Sequence, residues 1–200
     1  MLGMANAGAV YWTSETQGDC ASRYHLYCFR SDLGETIMVP PAIPGKRLFV
    51  TTTFWTPTDG RTQADTLCQK EATAANLSGT FIAFLSTTDS AAIDKLQPGR
   101  WKRTDNVLVA NTINDFVSDG LMASVGLSAN QGTHITGAIW SGAPSASSRA
   151  SLESSCQDFK SSAATNIGYA GRSYTTDPLE WFGNQKLACN ANVWLLCLEP

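Results

Sequence analysis

Trp181-Phe182-Gly183-Asn184-Gln185-Lys186-Leu187-Ala188-Cys189, continued by Asn190-Ala191-Asn192-Val193-Trp194-Leu195-Leu196-Cys197, has the spacing Trp-x7-Cys-x7-Cys. The same spacing stands near the start of the chain at Trp12, Cys20 and Cys28. The five residues before the last cysteine are Asn192-Val193-Trp194-Leu195-Leu196 in one copy and Arg23-Tyr24-His25-Leu26-Tyr27 in the other. An apolar residue follows each, Leu198 or Phe29. Matched spacings with an aromatic in register mark an internal repeat. Because the later copy closes the sequence, the earlier one is read as closing a domain too. Residues 1–32 are then the C-terminal remnant of an upstream repeat. Residues 33–47, with Pro40-Pro41 and Pro44-Gly45, form a Pro/Gly linker, and residues 48–200 form the complete domain. The competing reading makes residues 1–32 a hairpin of one larger domain.

Outward from that closing segment, the domain reads as α+β. Leu48-Phe49-Val50-Thr51-Thr52-Thr53 is apolar and β-branched, and predicts a first strand. Arg61 to Leu77 predicts a helix, with Ala64, Leu67, Cys68, Ala72 and Ala75 on one face, Thr62 and Asp65 as a capping box, and Asn76 and Gly79 as stop signals. Phe81 to Leu85 predicts a buried strand, and Thr88 to Leu96 a short second helix. Further strands are expected at Val107–Val109, Ala138–Trp140, Glu180–Phe182 and Val193–Leu196, with a Ser/Ala-rich loop from Ser141 to Ser155. Early helices followed by antiparallel strands give the class.

Four of the six cysteines, Cys68, Cys156, Cys189 and Cys197, fall in the complete domain. Four cysteines allow three connectivities. The nested one, Cys68–Cys197 outside Cys156–Cys189, would tie the first helix to the last strand. Closing a loop of well over 100 residues is worth roughly 5 kcal/mol in the chain-entropy model. No Cys-x2-Cys spacing is present, which disfavours zinc. Cys20 and Cys28 would stay free, bond to each other, or bond to another molecule, so association through residues 1–32 is expected.

The helix carrying the first cysteine, the late cysteine pair around a short aromatic strand, and the ending Trp194-Leu195-Leu196-Cys197-Leu198-Glu199 together resemble the C-type-lectin-like fold. More closely, the chain is similar to a bacterial family of endostatin-like domains of uncharacterised function. The matching pieces are Phe49-Val50-Thr51, Ala64-Asp65-Thr66-Leu67-Cys68-Gln69, Leu77-Ser78-Gly79-Thr80-Phe81 and Leu85-Ser86, with Leu26-Tyr27-Cys28-Phe29 in the earlier copy. The resemblance covers about residues 48–200. It implies two helices packed on antiparallel strands, with long loops and nested disulfides. It does not carry an activity. The sequence departs from the calcium-dependent lectins of that fold: Gln97-Pro98-Gly99 lacks their carboxylate, and Trp181 lies too far before Cys189. Calcium needs six to eight converging oxygens, whereas Asp105, Asp115, Asp119 and Glu180 are scattered. The arginine cluster through which mammalian endostatin binds heparin is not matched by Arg100, Lys102 and Arg103.

Composition narrows the function. Only 16% of residues are charged, 43% are hydrophobic and the net charge is -3. No basic field exists to hold phosphate backbones, so nucleic-acid binding is not expected. No run approaches the roughly 20 apolar residues of a membrane span. Met1–Val10 does not read as a signal peptide, so an export address would lie on a longer parent chain. There are two histidines, His25 and His134, and neither has a triad-like neighbour in sequence. No nucleophile-elbow, phosphate-loop or zinc-protease motif occurs. The expectation is a non-catalytic recognition module without cofactor or metal, on an extracellular or cell-envelope protein of a bacterium, binding a glycan or protein ligand independently of calcium. Trp55 and Trp101 stand at loop edges, and with Arg103 they are the candidate ligand-binding residues; Trp140, Trp181 and Trp194 read as core. The rivals are a structural spacer bead and a hydrolase built on Asp115 or Asp119 with His134.

Overall fold

The computed structural model describes residues 17–24, 26, 28 and 44–200. Trp12, His25, Tyr27, Phe29 and residues 33–43 of the expected linker lie outside the described residues.

The central strands are the continuous apolar runs. β1 (Lys46–Val50) puts Leu48 and Val50 into one half of the core and Phe49 into the other. β8 (Leu196–Leu198) does the same with Leu196 and Leu198 on one face and Cys197 on the other. Alternation with a period of two lets a strand buried on both sides feed two clusters. Around this pair, β2 (Ile82–Ala83), β3 (Trp101–Arg103) and β4 (Leu108–Ala110) complete a five-stranded sheet in the order β2-β8-β1-β3-β4. Among the described strands of this sheet, β1 and β3 pair in parallel and the other ladders are antiparallel; Phe49 sits opposite Cys197 in the β1–β8 ladder. A second, antiparallel sheet holds β5 (Ala138–Trp140), β6 (Ile167–Arg172) and β7 (Gln185–Ala188), in that order. An isolated bridge between Ile139 and Trp194 joins the two sheets.

Helix α1 (Arg61–Ala74) buries Ala64, Cys68 and Ala72, the i, i+4, i+8 stripe. It stops three residues earlier than the sequence predicts. Asn76 takes φ 57°, and the Leu77 N–H reaches back to the Ala72 carbonyl at 2.9 Å, which closes the helix end. The Thr62/Asp65 capping box does not form. The N-cap is Gly60, and Asp65 instead accepts the Ala83 N–H at 2.8 Å, pinning β2 to the helix.

Other expectations shift for similar local reasons. β1 begins at Lys46, inside the expected linker, because Arg47 is anchored to Glu199; its N–H donates to Oε2 at 2.6 Å. The strand ends at Val50 because the Thr51 hydroxyl accepts the Leu195 N–H. The expected second helix is a 3-10 turn at Ala92–Lys95. Glu180–Phe182 is a turn, with the Glu180 and Trp181 N–H groups both on the Asp177 carbonyl.

Over the described residues the chain is thus an α+β protein with two sheets and two disulfides. Cys68 is bonded to Cys197 and Cys156 to Cys189, the nested arrangement. Among the described residues, no helix is long and apolar enough to cross a membrane.

Candidate functional site

The most unusual backbone among the described residues is the one-turn helix α2 (Cys156–Phe159). Its residues have φ values of 53°, 57°, 58° and 60°, so the turn is left-handed, and none of them is glycine. The Phe159 N–H donates to the Ser155 carbonyl at 2.7 Å and the Lys160 N–H to the Cys156 carbonyl at 3.0 Å, the mirror of an α-helical turn. Left-handed helix costs L-residues about 1–2 kcal/mol each, because Cβ crowds the following carbonyl.

Contacts on every side hold this turn. Cys156 is bonded to Cys189. Phe159 is fully buried, its ring 5.6 Å from that of Trp55 and 6.5 Å from that of Trp140. The Phe159 carbonyl accepts the Gly60 N–H at 2.8 Å. The Asp158 N–H donates to Ser155 Oγ at 3.1 Å, and the Asp158 carboxylate accepts both the Thr88 N–H, at 2.9 Å, and the Thr88 hydroxyl, at 2.7 Å. Backbone strain that the surroundings over-determine in this way is a recurrent mark of functional sites.

The turn forms one wall of a cleft of about 280 Å³, lined by Arg61, Thr87, Asp89, Ser90, Asp158 and Lys160. Arg61 is the first residue of α1, and its Nε is shut away from solvent with no hydrogen-bond partner, 3.5 Å from Asp65 Oδ2. Burial lowers the Arg61 pKa despite the neighbouring carboxylate, and burial raises that of Asp65 against the Ala83 hydrogen bond and the Arg61 charge. The Lys160 stem lies over Gly60, whose φ is 72°; a Cβ added there would stand 3.5 Å from Lys160 Cγ and Cε. A side chain at position 60 would meet Lys160 at ordinary contact distance, but it would strain the backbone at this positive φ. Among the described residues, the Lys160 ammonium and the Asp89 carboxylate have no hydrogen-bond or ion-pair partner. The cleft therefore offers two cations, two carboxylates and two hydroxyls. Ser90 Oγ faces the Thr87 hydroxyl at 3.3 Å, and no histidine lines the cleft, so a nucleophile–base pair is not assembled there.

The ligand-binding residues expected from sequence are placed elsewhere, inside the protein. Trp55 is 4% exposed, and its indole N–H donates to Gln63. Trp101 is fully buried, and its indole N–H donates to the Glu199 carbonyl at 3.0 Å. Arg103 is 7% exposed and bonded to Asp105 at 2.7 Å and to the Ser124 carbonyl at 3.2 Å. A loop-edge position in sequence does not bring exposure here; each side chain spends its polar atoms on the fold. Trp140 and Trp181 are core, while Trp194 is only half-buried, its ring 4.5 Å from that of the exposed Phe54. Asp115 caps a 3-10 turn by accepting the Asn111 and Thr112 N–H groups, Asp119 accepts the Ser118 hydroxyl, and neither joins His134 in the clefts lined by described residues. Among the described residues, no group of three or more His, Cys, Asp or Glu could hold a metal ion. The sequence carries no signal for the cleft, since Cys156-Gln157-Asp158-Phe159-Lys160 lacks the glycine that announces positive φ.

No protein-family model matches this sequence, and no curated protein matches it significantly.

Proposed function

We propose that the chain is a non-catalytic recognition module of an extracellular or cell-surface protein, with a C-type-lectin-like, endostatin-like fold, and that it binds a polar glycan or protein ligand without calcium. The observation that carries the reading is the mixed-charge cleft on the left-handed turn. Lys160 and Asp89, unpartnered among the described residues, and the Thr87 and Ser90 hydroxyls that line the same cleft are complementary to a ligand that both donates and accepts hydrogen bonds. The two disulfides support an oxidising compartment. The nested bridge from the first helix to the central strand supports the fold.

The test is binding of the intact chain to immobilised oligosaccharide and peptide arrays in the presence of a calcium chelator, repeated with Lys160→Ala and Asp89→Ala. Both side chains are exposed, so their loss should leave the melting temperature unchanged while reducing binding at least tenfold. Binding that both variants retain would place the ligand elsewhere. A chain that binds nothing on either array would instead be a spacer bead.

A further inference from the structure

The two copies of Trp-x7-Cys-x7-Cys meet different fates. In the later copy Cys189 and Cys197 are not bonded to each other. Both reach outward, Cys197 to a helix cysteine 129 residues earlier and Cys189 to a cysteine 33 residues earlier, on the left-handed turn. Both are fully buried, as are Val193 and Leu195 between them. In the earlier copy the equivalent positions are Cys20, Cys28, Tyr24 and Leu26. Cys20 and Cys28 are free and exposed. Leu26, the counterpart of the buried Leu195, is 88% exposed, and Tyr24, the counterpart of Val193, is 49% exposed. The other four cysteines of the chain are already paired. Thus the earlier copy has the thiols and the apolar residues of a closing segment, while this domain has no vacancy for it.

We infer that residues 12–29 are the closing segment of another domain of this kind. Cys28 bonds to that domain's helix cysteine, the counterpart of Cys68, and Cys20 to its counterpart of Cys156, with Leu26 and Tyr24 buried in its core. The partner is thus a domain whose own helix and turn thiols are unpaired. Two bridges form from four thiols with loss of four protons and four electrons. Two molecules of glutathione disulfide take these up and leave as four glutathione thiols. Any linkage through this segment is covalent in an oxidising compartment, whichever polypeptide supplies the partner domain.

The 200-residue chain can report on this itself. In the full chain carrying Cys189→Ser and Cys197→Ser, Cys68 and Cys156 become the vacant thiols. After refolding with reduced and oxidised glutathione, a non-reducing peptide map should show Cys28–Cys68 and Cys20–Cys156, one of three pairings open to four cysteines. Monomer or dimer on a non-reducing gel then tells whether the segment closes its own chain or a second copy, and either result supports the inference. Cys20–Cys28, Cys20–Cys68 or an even mixture of pairings would overturn it; four free thiols would mean that residues 181–198 still fill the closing position, and the next variant then decides. Because that variant loses both native bridges at once, a second full chain has residues 181–198 replaced by the sequence of residues 12–29. Bridges from Cys68 and Cys156 to the grafted cysteines, with cooperative unfolding, are expected. Their absence would show that the earlier copy cannot close this fold.

Discussion

Gln157 offers a direct reading of the left-handed turn. It is exposed, has φ 57° and ψ 51°, and lies on none of the described cleft walls. Replacing it with glycine removes the Cβ that crowds the carbonyl, worth about 1–2 kcal/mol in a left-handed turn. The same change widens the unfolded backbone ensemble, which costs about 0.5–1 kcal/mol. Gln157→Gly should therefore stabilise the protein by about 0.5–1 kcal/mol. In a right-handed helix the same substitution would destabilise by about 1 kcal/mol, so the two geometries differ in sign. For a chain of this size the gain corresponds to a rise in melting temperature of about 1–4 °C. Guanidinium unfolding with the disulfides intact, alongside Gln157→Ala as a control that keeps the Cβ, is the assay. The alanine variant should fall near wild type. A glycine variant less stable than both would mean that residues 156–159 are not left-handed, and the argument for a strained wall to the cleft would fail with it.

Two other perturbations follow from the same geometry. Replacing Cys68 and Cys197 with alanine opens a loop of 129 residues and should cost roughly 5 kcal/mol, against roughly 4 kcal/mol for Cys156 and Cys189, whose loop is 33 residues; a much larger loss for the inner pair in equilibrium unfolding would mean that the bridge chiefly offsets strain in the turn. Burial pushes the Asp105 carboxyl up, but the Arg103 guanidinium and the backbone N–H groups on it outweigh that and hold its pKa below the usual carboxylate value. Its stabilisation is therefore complete above the unfolded-state carboxyl pKa, near 3.9, and is lost as pH falls through the lower folded value. Asp105→Asn should thus be less stable than wild type at pH 6 and should lose less of its remaining stability between pH 5 and pH 2; parallel pH profiles would refute the pairing.

The parts of the fold that are legible in the sequence are those where one periodicity dominates. Leu48-Phe49-Val50 and Leu195-Leu196 are apolar without interruption because β1 and β8 are buried on both faces. The α1 stripe is visible because Ala64, Cys68 and Ala72 recur every four residues. β6 is hidden because Ile167-Gly168-Tyr169-Ala170-Gly171-Arg172 contains two glycines, and glycine argues for a loop. Here both serve close approach: a Cβ at Gly168 would stand 2.7 Å from Cys156 Sγ, and one at Gly171 only 2.0 Å from the Trp181 carbonyl oxygen. β3 is hidden because Trp101-Lys102-Arg103 has the charges of a solvated loop. Arg103 is nevertheless drawn inside by Asp105 and the Ser124 carbonyl. The cleft is illegible for the opposite reason: apart from Asp158, its decisive backbone sits on residues with little propensity for it, and tertiary contacts impose it.

That imposition says what the cleft is suited to do. Its walls come from three segments distant in sequence: the first residue of α1, the Thr87–Ser90 turn and the left-handed turn. Each is tied to another by a bond that does not depend on a ligand. Gly60 donates to the Phe159 carbonyl, Thr88 is held twice by Asp158, and Cys156 is fixed to Cys189 at the end of β7. A relaxed turn at residues 156–159 would save the strain but would let Asp158 leave Thr88, and the Lys160 stem leave Gly60. The charged groups would then have to be ordered by the ligand itself, at about 0.5–1.5 kcal/mol for each immobilised side chain. With the backbone already fixed and Arg61 Nε buried beside Asp65, only the exposed Lys160 and Asp89 remain to settle. On the proposed reading, a rim fixed in this way lowers the ordering cost of capturing a polar ligand reversibly.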